Sequence, residues 1–260
     1  MKIIHLSDLH FGTQSNEVVK ALLYAIANQK PDLVITSGDF TQIGNEEEFA
    51  FAKMFLTNVR SPCLSVPGNH DVPVINLFER FLNPYKNYKN YIDTNLCPSF
   101  ENEDAAILGL NSARRALPHW NWANGAISAR QRQTLRDTLK HDDPRWKIAV
   151  LHHPVHKVHD MPINVTVFGR KRTLQSFREQ KVDLILTGHV HHASITTLGN
   201  EDHQSVYVSA STALSSRQRG QKNGFNVITL NQKTFTIDIH ALTDQTKFEK
   251  IKSYEHTRLG

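Results

Sequence analysis

The sequence predicts an α/β fold in which two packed sheets are flanked by helices. Three observations predict it. Apolar strand-like runs alternate with helical periodicities up to about residue 190, those runs end in clusters of polar residues, and beyond residue 200 the pattern becomes short alternating strands joined by turns. With 260 residues the chain can bury the core of one large domain. No Gly/Ser/Pro-rich linker divides it, so residues 1–260 are read as one domain.

The elements follow in order. Ile3–Leu6 is an apolar strand that stops at Ser7-Asp8-Leu9-His10. Asn16 can cap a helix whose apolar face is Val19, Leu22, Leu23 and Ile26. After Pro31, residues 32–36 read as a buried strand running into Ser37-Gly38-Asp39. Asn45 with Glu48 resembles a capping box, and Phe51, Met54 and Phe55 form the expected buried stripe of the next helix. Residues 63–66 make a third strand, ending at Pro67-Gly68-Asn69-His70-Asp71.

The segment at about 74–104 mixes aromatics with lysines and is read as an irregular insertion at the substrate rim. Residues 105–110 restore a strand, and Ser128 can cap a helix carrying Gln131, Leu135 and Leu139. Strand 147–151 ends at His152-His153-Pro154, and strand 182–187 ends at Gly188-His189-Val190-His191. The hairpin strands are "SVYVSAS", "GFNVITL" and "TFTIDIHAL".

Composition excludes more than it selects. Thirty Lys and Arg against 25 Asp and Glu give a formal charge of +5, a mild bias toward anionic partners. No apolar run reaches the roughly 18–20 residues that span a bilayer, and Met1-Lys2 leads straight into the first strand, so a cytoplasmic protein with two free thiols, Cys63 and Cys97, is expected. The sequence selects neither a monomer nor a homodimer.

Function lies in the strand ends. Asp8 and His10 are two residues apart, so an extended backbone would turn both to one face and offer a carboxylate and an imidazole to a divalent metal. "PDLVITSGDF" and "VDLILTGHVH" repeat one pattern: Asp, buried strand, Thr, Gly, then ligand-type residues. The glycines remove a side chain where backbone must approach closely. Asp8/His10, Asp39, Asn69/His70, His152 and His189/His191 each follow a strand, which is where α/β sheets gather their ligand-binding residues.

In these residues the chain resembles the calcineurin-like metallophosphoesterase superfamily. The ordered signature D-x-H, G-D, G-N-H-D/E, H, G-H-x-H stands here as Asp8-Leu9-His10, Gly38-Asp39, Gly68-Asn69-His70-Asp71, His152 and Gly188-His189-Val190-His191. The resemblance implies a four-layer double β-sandwich flanked by helices, with two divalent metal ions at the sheet edge. It implies that Asp8, His10 and His191 hold one metal, that Asn69, His152 and His189 hold the other, and that Asp39 bridges them. His70 is then a proton donor or charge stabiliser at the leaving oxygen. The implied activity is attack on phosphorus by a metal-bridging hydroxide, with manganese, iron or zinc as the metals.

Within the superfamily, the absence of G-D-x-V-D-R-G and the presence of Asp71 instead of Glu disfavour the protein phosphatases. The look is that of class III cyclic nucleotide phosphodiesterases and glycerophosphodiester-cleaving members, so a small anionic phosphodiester is the expected substrate. The alternatives are a nuclease or a nucleotide-lipid (UDP-diacylglucosamine-type) pyrophosphatase, nucleic acid being the less favoured partner. Arg114, Arg115, Trp120 and Trp122 combine cations with amphipathic rings and are the candidate substrate rim.

Overall fold

The computed structural model describes residues 1–119, 121–156, 165–215, 220–244 and 246–259. Two six-stranded sheets dominate it. The first contains β1 (Lys2–Leu6), β2 (Leu33–Thr36), β3 (Cys63–Ser65), β12 (Gly224–Leu230), β13 (Thr234–Asp244) and β14 (Lys247–Thr257), in the order β14-β13-β12-β1-β2-β3. The second contains β4 (Ser99–Glu101), β5 (Ala105–Gly109), β7 (Trp146–Val150), β9 (Leu184–Thr187), β10 (Ser194–Gly199) and β11 (Gln204–Ser209), in the order β10-β11-β9-β7-β5-β4. β6 (Gly125–Ala126) and β8 (Val167–Phe168) form a separate two-stranded pair. The central strands β1, β2 and β3 are mutually parallel, as are β5, β7, β9 and β11, and the antiparallel strands lie outside them.

The layers follow from the period-2 alternation of the strands. In β1, Ile3 faces the space between the sheets with Ile35, Ile107, Ile148 and Leu186, while Ile4 and Leu6 face outward. α1 (Asn16–Gln29) and α2 (Glu46–Val59) cover that outer face with Leu22, Ile26, Phe49 and Phe55. α5 (Ala129–Thr138) and α6 (Arg170–Glu179) cover the other sheet, placing Leu135 and Phe177 against Leu108, Ala149 and Ile185. The result is the four-layer, helix-flanked double sandwich. Each such side chain contributes roughly 1.5–3 kcal/mol by leaving water. Among the described residues no helix is long and apolar enough to cross a membrane.

Several local expectations are corrected. Ser15, one residue earlier than Asn16, is the N-cap of α1. In α2 the buried stripe is Phe49, Ala52, Phe55 and Val59, whereas Phe51 and Met54 are exposed. Asn45 does cap α2 by accepting from the Glu48 amide, but the Glu48 carboxylate turns instead to the amides of Gln42, Ile43 and Gly44. Ser128 and Gln131 form a full reciprocal capping box. The segment expected to be irregular holds two short helices, α3 (Leu77–Leu82) and α4 (Lys86–Tyr91), before β4.

Candidate metal centre

The turns that follow β1, β2, β3, β7 and β9 meet at one edge of the sandwich. β1 ends at Leu6, so strand alternation does not align Asp8 with His10. Both residues instead take left-handed backbone conformations, with φ of 52° and 46°, as do Asp39 (55°), His189 (71°) and His191 (56°). Of the eight non-glycine residues with positive φ among the described residues, these are five. Such conformations cost on the order of 1–3 kcal/mol each and persist where surrounding contacts hold them. At Gly188 the approach is close enough that a Cβ would overlap Ser7 Oγ, so glycine is required there.

Backbone carbonyls orient the rings. His10 Nδ1 donates to Thr41 O at 3.1 Å, His152 Nδ1 to Ser37 O at 2.8 Å, and His70 Nδ1 to Gln42 O at 2.6 Å. The Nε2 of a neutral ring held this way carries a lone pair. His10 Nε2 lies 3.2 Å from His191 Nε2. His152 Nε2 lies 3.1 Å from Asn69 Oδ1, 3.2 Å from His189 Nδ1 and 3.3 Å from Asp39 Oδ2. Asp8 Oδ1 is buried 3.2 Å from His191 Nε2, with no hydrogen-bond partner of good geometry among the described residues. Its other oxygen, Oδ2, accepts from the His189 amide at 3.0 Å.

Converging lone pairs and two buried carboxylates call for positive charge. Burial opposes ionisation of Asp8, but the imidazoles of His191, His10 and His152 outweigh it and hold its pKa well below the usual carboxylate range. Asp39 is depressed in the same way, chiefly by His152 and His70 acting against burial. Burial disfavours charge on His152, yet the Asp39 carboxylate raises its pKa to about 9. His189 falls to about 3 through burial and the neighbouring His152. Carboxylate oxygens, imidazole nitrogens and the Asn69 amide oxygen form a donor set suited to divalent cations. Asp8, His10 and His191 bring ligand atoms within 4.8 Å of one another, as do Asp8, Asp39 and His152, and His152, His153 and His189. The residues present therefore fit a metal pair.

His70 stands beside this set. Its amide donates to Asp39 Oδ1 at 2.8 Å, and its ring meets His10 edge-on with centroids 4.9 Å apart. Asp71 fastens the His70 turn by accepting from the Gly68 amide and from the amide and hydroxyl of Thr41.

The sequence profile of the calcineurin-like phosphoesterases matches residues 1–193. The chain belongs to the calcineurin-like phosphoesterase family. It is 27% identical over 216 residues to a probable glycerophosphodiester phosphodiesterase of Arcobacter nitrofigilis, covering 77% of this chain and 75% of that one. It is 24% identical over 213 residues to the 3',5'-cyclic adenosine monophosphate phosphodiesterase of Escherichia coli strain K12, covering 74% and 70%. A dimetal phosphatase from Danio rerio shares the fold, with a TM-score of 0.74 and 12% identity over 99% of this chain and 98% of that one.

In this phosphoesterase the candidate rim residues have structural partners of their own. Arg114 donates to the carbonyls of Asn111 and Ala113 and to Gln131 Oε1, and Arg115 donates to Phe81 O. Trp122 packs edge-on against Phe81 under the Arg80 guanidinium, and Trp120 lies outside the described residues. His153, which its place next to His152 lets the sequence read as structural or solvent-facing, is buried, bonds Ser112 Oγ at 2.8 Å and lies tilted with its ring centroid 4.6 Å from that of His189. Sequence reasoning missed His5, whose Nε2 bonds Ser37 Oγ at 2.9 Å behind the carbonyl that orients His152, and whose pKa burial lowers to about 3. A histidine inside an apolar strand was the available signal.

Proposed function

We propose that this phosphoesterase hydrolyses phosphodiesters at a centre of two divalent cations, with manganese, iron or zinc as the fitting metals. The observation that carries the reading is the convergence of imidazole nitrogens and the Asn69 amide oxygen on two buried carboxylates. Asp8, His10 and His191 form one ligand set and Asn69, His152 and His189 the other, with Asp39 common to both. When bound, the cations activate a water and neutralise phosphoryl oxygens. Carbonyls of Ser37 and Thr41 fix the tautomers of His152 and His10, so each presents Nε2 to the centre. With Nδ1 committed to Gln42 O, His70 has Nε2 as its working nitrogen; as the imidazolium it gives the Nε2 proton to the departing alcohol oxygen and is left as the neutral ring.

Charge selects the diester. Two divalent cations bring about four positive charges; Asp8, Asp39 and the attacking oxygen cancel about three, since Asn69 and the histidines bind neutral. The remainder of about one matches a diester, whereas a monoester carries up to about two negative charges. The guanidinium groups of Arg114 and Arg115 are tied to neighbouring carbonyls and to Gln131, and Arg217, the third candidate for a second charge, lies outside the described residues. A cytoplasmic site of action suits the free thiols Cys63 and Cys97. The test compares kcat/KM for bis(p-nitrophenyl) phosphate and p-nitrophenyl phosphate on manganese-loaded enzyme. The diester should be preferred; a clear preference for the monoester overturns the proposal.

A further inference from the structure

α3 is built inside out. At 100° per residue, Leu77, Phe78, Phe81 and Leu82 fall within an arc of about 140° on one side of the helix. That side faces solvent: Phe78 is 77% exposed, Leu82 59%, Leu77 48% and Phe81 42%. The charged Arg80 occupies the inward side and is 2% exposed. Its guanidinium donates to the carbonyls of Pro73 and Arg115 at 2.9 and 2.7 Å, with longer contacts to Val72 and Arg114 at 3.4 Å. Those bonds clamp the helix to the loops beside the centre with its apolar side outward. Ile75, 72% exposed, extends the apolar surface before the helix, and Trp122 extends it beyond Phe81.

A continuous apolar surface of this kind marks an interaction face. Its border supplies the charge that selects the partner. Exposed Lys86, 3.8 Å from Glu79, and Arg115, bonded to the Phe81 carbonyl, lie at that border, Lys89 is exposed one turn further along α4, and Glu79 is the one acidic residue between positions 72 and 92. A second copy of the same face would bring like cations together. An anionic lipid surface neutralises them while Ile75, Phe78 and Leu82 enter the layer between headgroups and acyl chains. We propose that α3 and Trp122 form a docking face for an anionic phospholipid bilayer. Only Asp71, Val72 and Pro73 separate His70 from Val74, where the exposed apolar run begins, so docking seats the centre at the headgroup layer. The docking itself does not depend on the phosphodiesterase reading.

The experiment is co-sedimentation of the full, metal-loaded chain with vesicles of phosphatidylglycerol and phosphatidylcholine in equal parts, against vesicles of phosphatidylcholine alone. Wild-type protein should pellet with the anionic vesicles and remain largely in solution with the neutral ones. The double variant Ile75→Ser/Phe78→Ser should lose at least tenfold in binding at an unchanged thermal midpoint, because both side chains are exposed. Lys86→Gln and Lys89→Gln should each weaken binding roughly fivefold, the effect of one basic residue near an anionic surface. Wild-type protein that stays in solution with both vesicles overturns the proposal, as does binding that the double variant retains. A wild-type dimer in light scattering that Phe78→Ser dissociates, without vesicle binding, assigns the face to a second copy instead. Hydrolysis of soluble bis(p-nitrophenyl) phosphate by the wild-type preparation reads the catalytic proposal separately, and its failure leaves the docking result standing.

Discussion

The metal centre and α3 depart from ordinary burial in opposite senses, and they are held in place by different means. At the centre, Asp8, His10 and His152 are fully buried and Asp39 is 1% exposed, each turned by a left-handed residue or by a hydrogen bond to a neighbouring loop's carbonyl. On α3, large apolar side chains face water, and the buried Arg80 guanidinium, together with Arg115 at the Phe81 carbonyl, fixes the orientation. Burying charge requires every polar atom to be directed, because a misdirected one is costly in a low-dielectric interior. Exposing apolar surface requires only that the helix be kept from rolling over. The centre is accordingly over-determined, whereas α3 is fastened mainly through Arg80, with Arg115 donating to the Phe81 carbonyl beside it.

Breaking the comparison at its strongest point means removing the charge at the middle of the centre. Asp39→Asn should lower diester hydrolysis by about 10³-fold, the scale of losing a preorganised charge at a reacting group, and metal analysis should find fewer than two ions per chain. Two tightly held ions in that variant would show that Asp39 is not shared. A smaller loss separates the ligands from the residue beside them. His70→Ala should keep both ions and lose about 10²-fold more on alkyl diesters than on nitrophenyl diesters, whose leaving group departs without a proton. Equal losses on both substrates would reduce His70 to an electrostatic contact.

The smallest effect is expected at α3. Arg80→Met leaves the carbonyls of Pro73 and Arg115 without their donor and should lower stability by about 1–3 kcal/mol in denaturant titration, while metal content is retained. A variant as stable as the wild type would mean that the Arg80 bonds are not what holds α3. Loss of metal together with stability would mean that the two regions are one cooperative unit.

Much of this architecture was legible because parallel strands end abruptly, and the polar groups after β1, β2, β3, β7 and β9 could be placed at one edge from spacing alone. The reason offered for Asp8 and His10 was wrong: the side chains converge through left-handed residues, which sequence marks only weakly by allowing Asp and His in that conformation. The stripe of α2 was set on Phe51, Met54 and Phe55; Phe55 does belong to the buried face, whereas Phe49, Ala52 and Val59 complete it in place of Phe51 and Met54. α3 was unreadable as a helix because its apolar arc does not face the core that helical periodicity is taken to indicate. The tautomers of His10, His70 and His152 were beyond reach, since the groups that set them are backbone carbonyls and every residue carries one.

The contact between Asp8 and His189 spans 181 positions, and the one between Asn69 and His189 spans 120. During synthesis the first four residues of the centre emerge, with the amino-terminal sheet's three parallel strands, long before His152, His189 and His191 exist. Until then the turns carrying Asp8 and Asp39 have only each other, through Asp8 N–Gly38 O and His10 N–Asp39 O, and the His70 amide on Asp39. The centre comes together only when the second sheet has stacked on the first in register, so its completion is a readout of finished folding, and a truncated chain ending before residue 189 lacks two of its seven proposed ligands, His189 and His191.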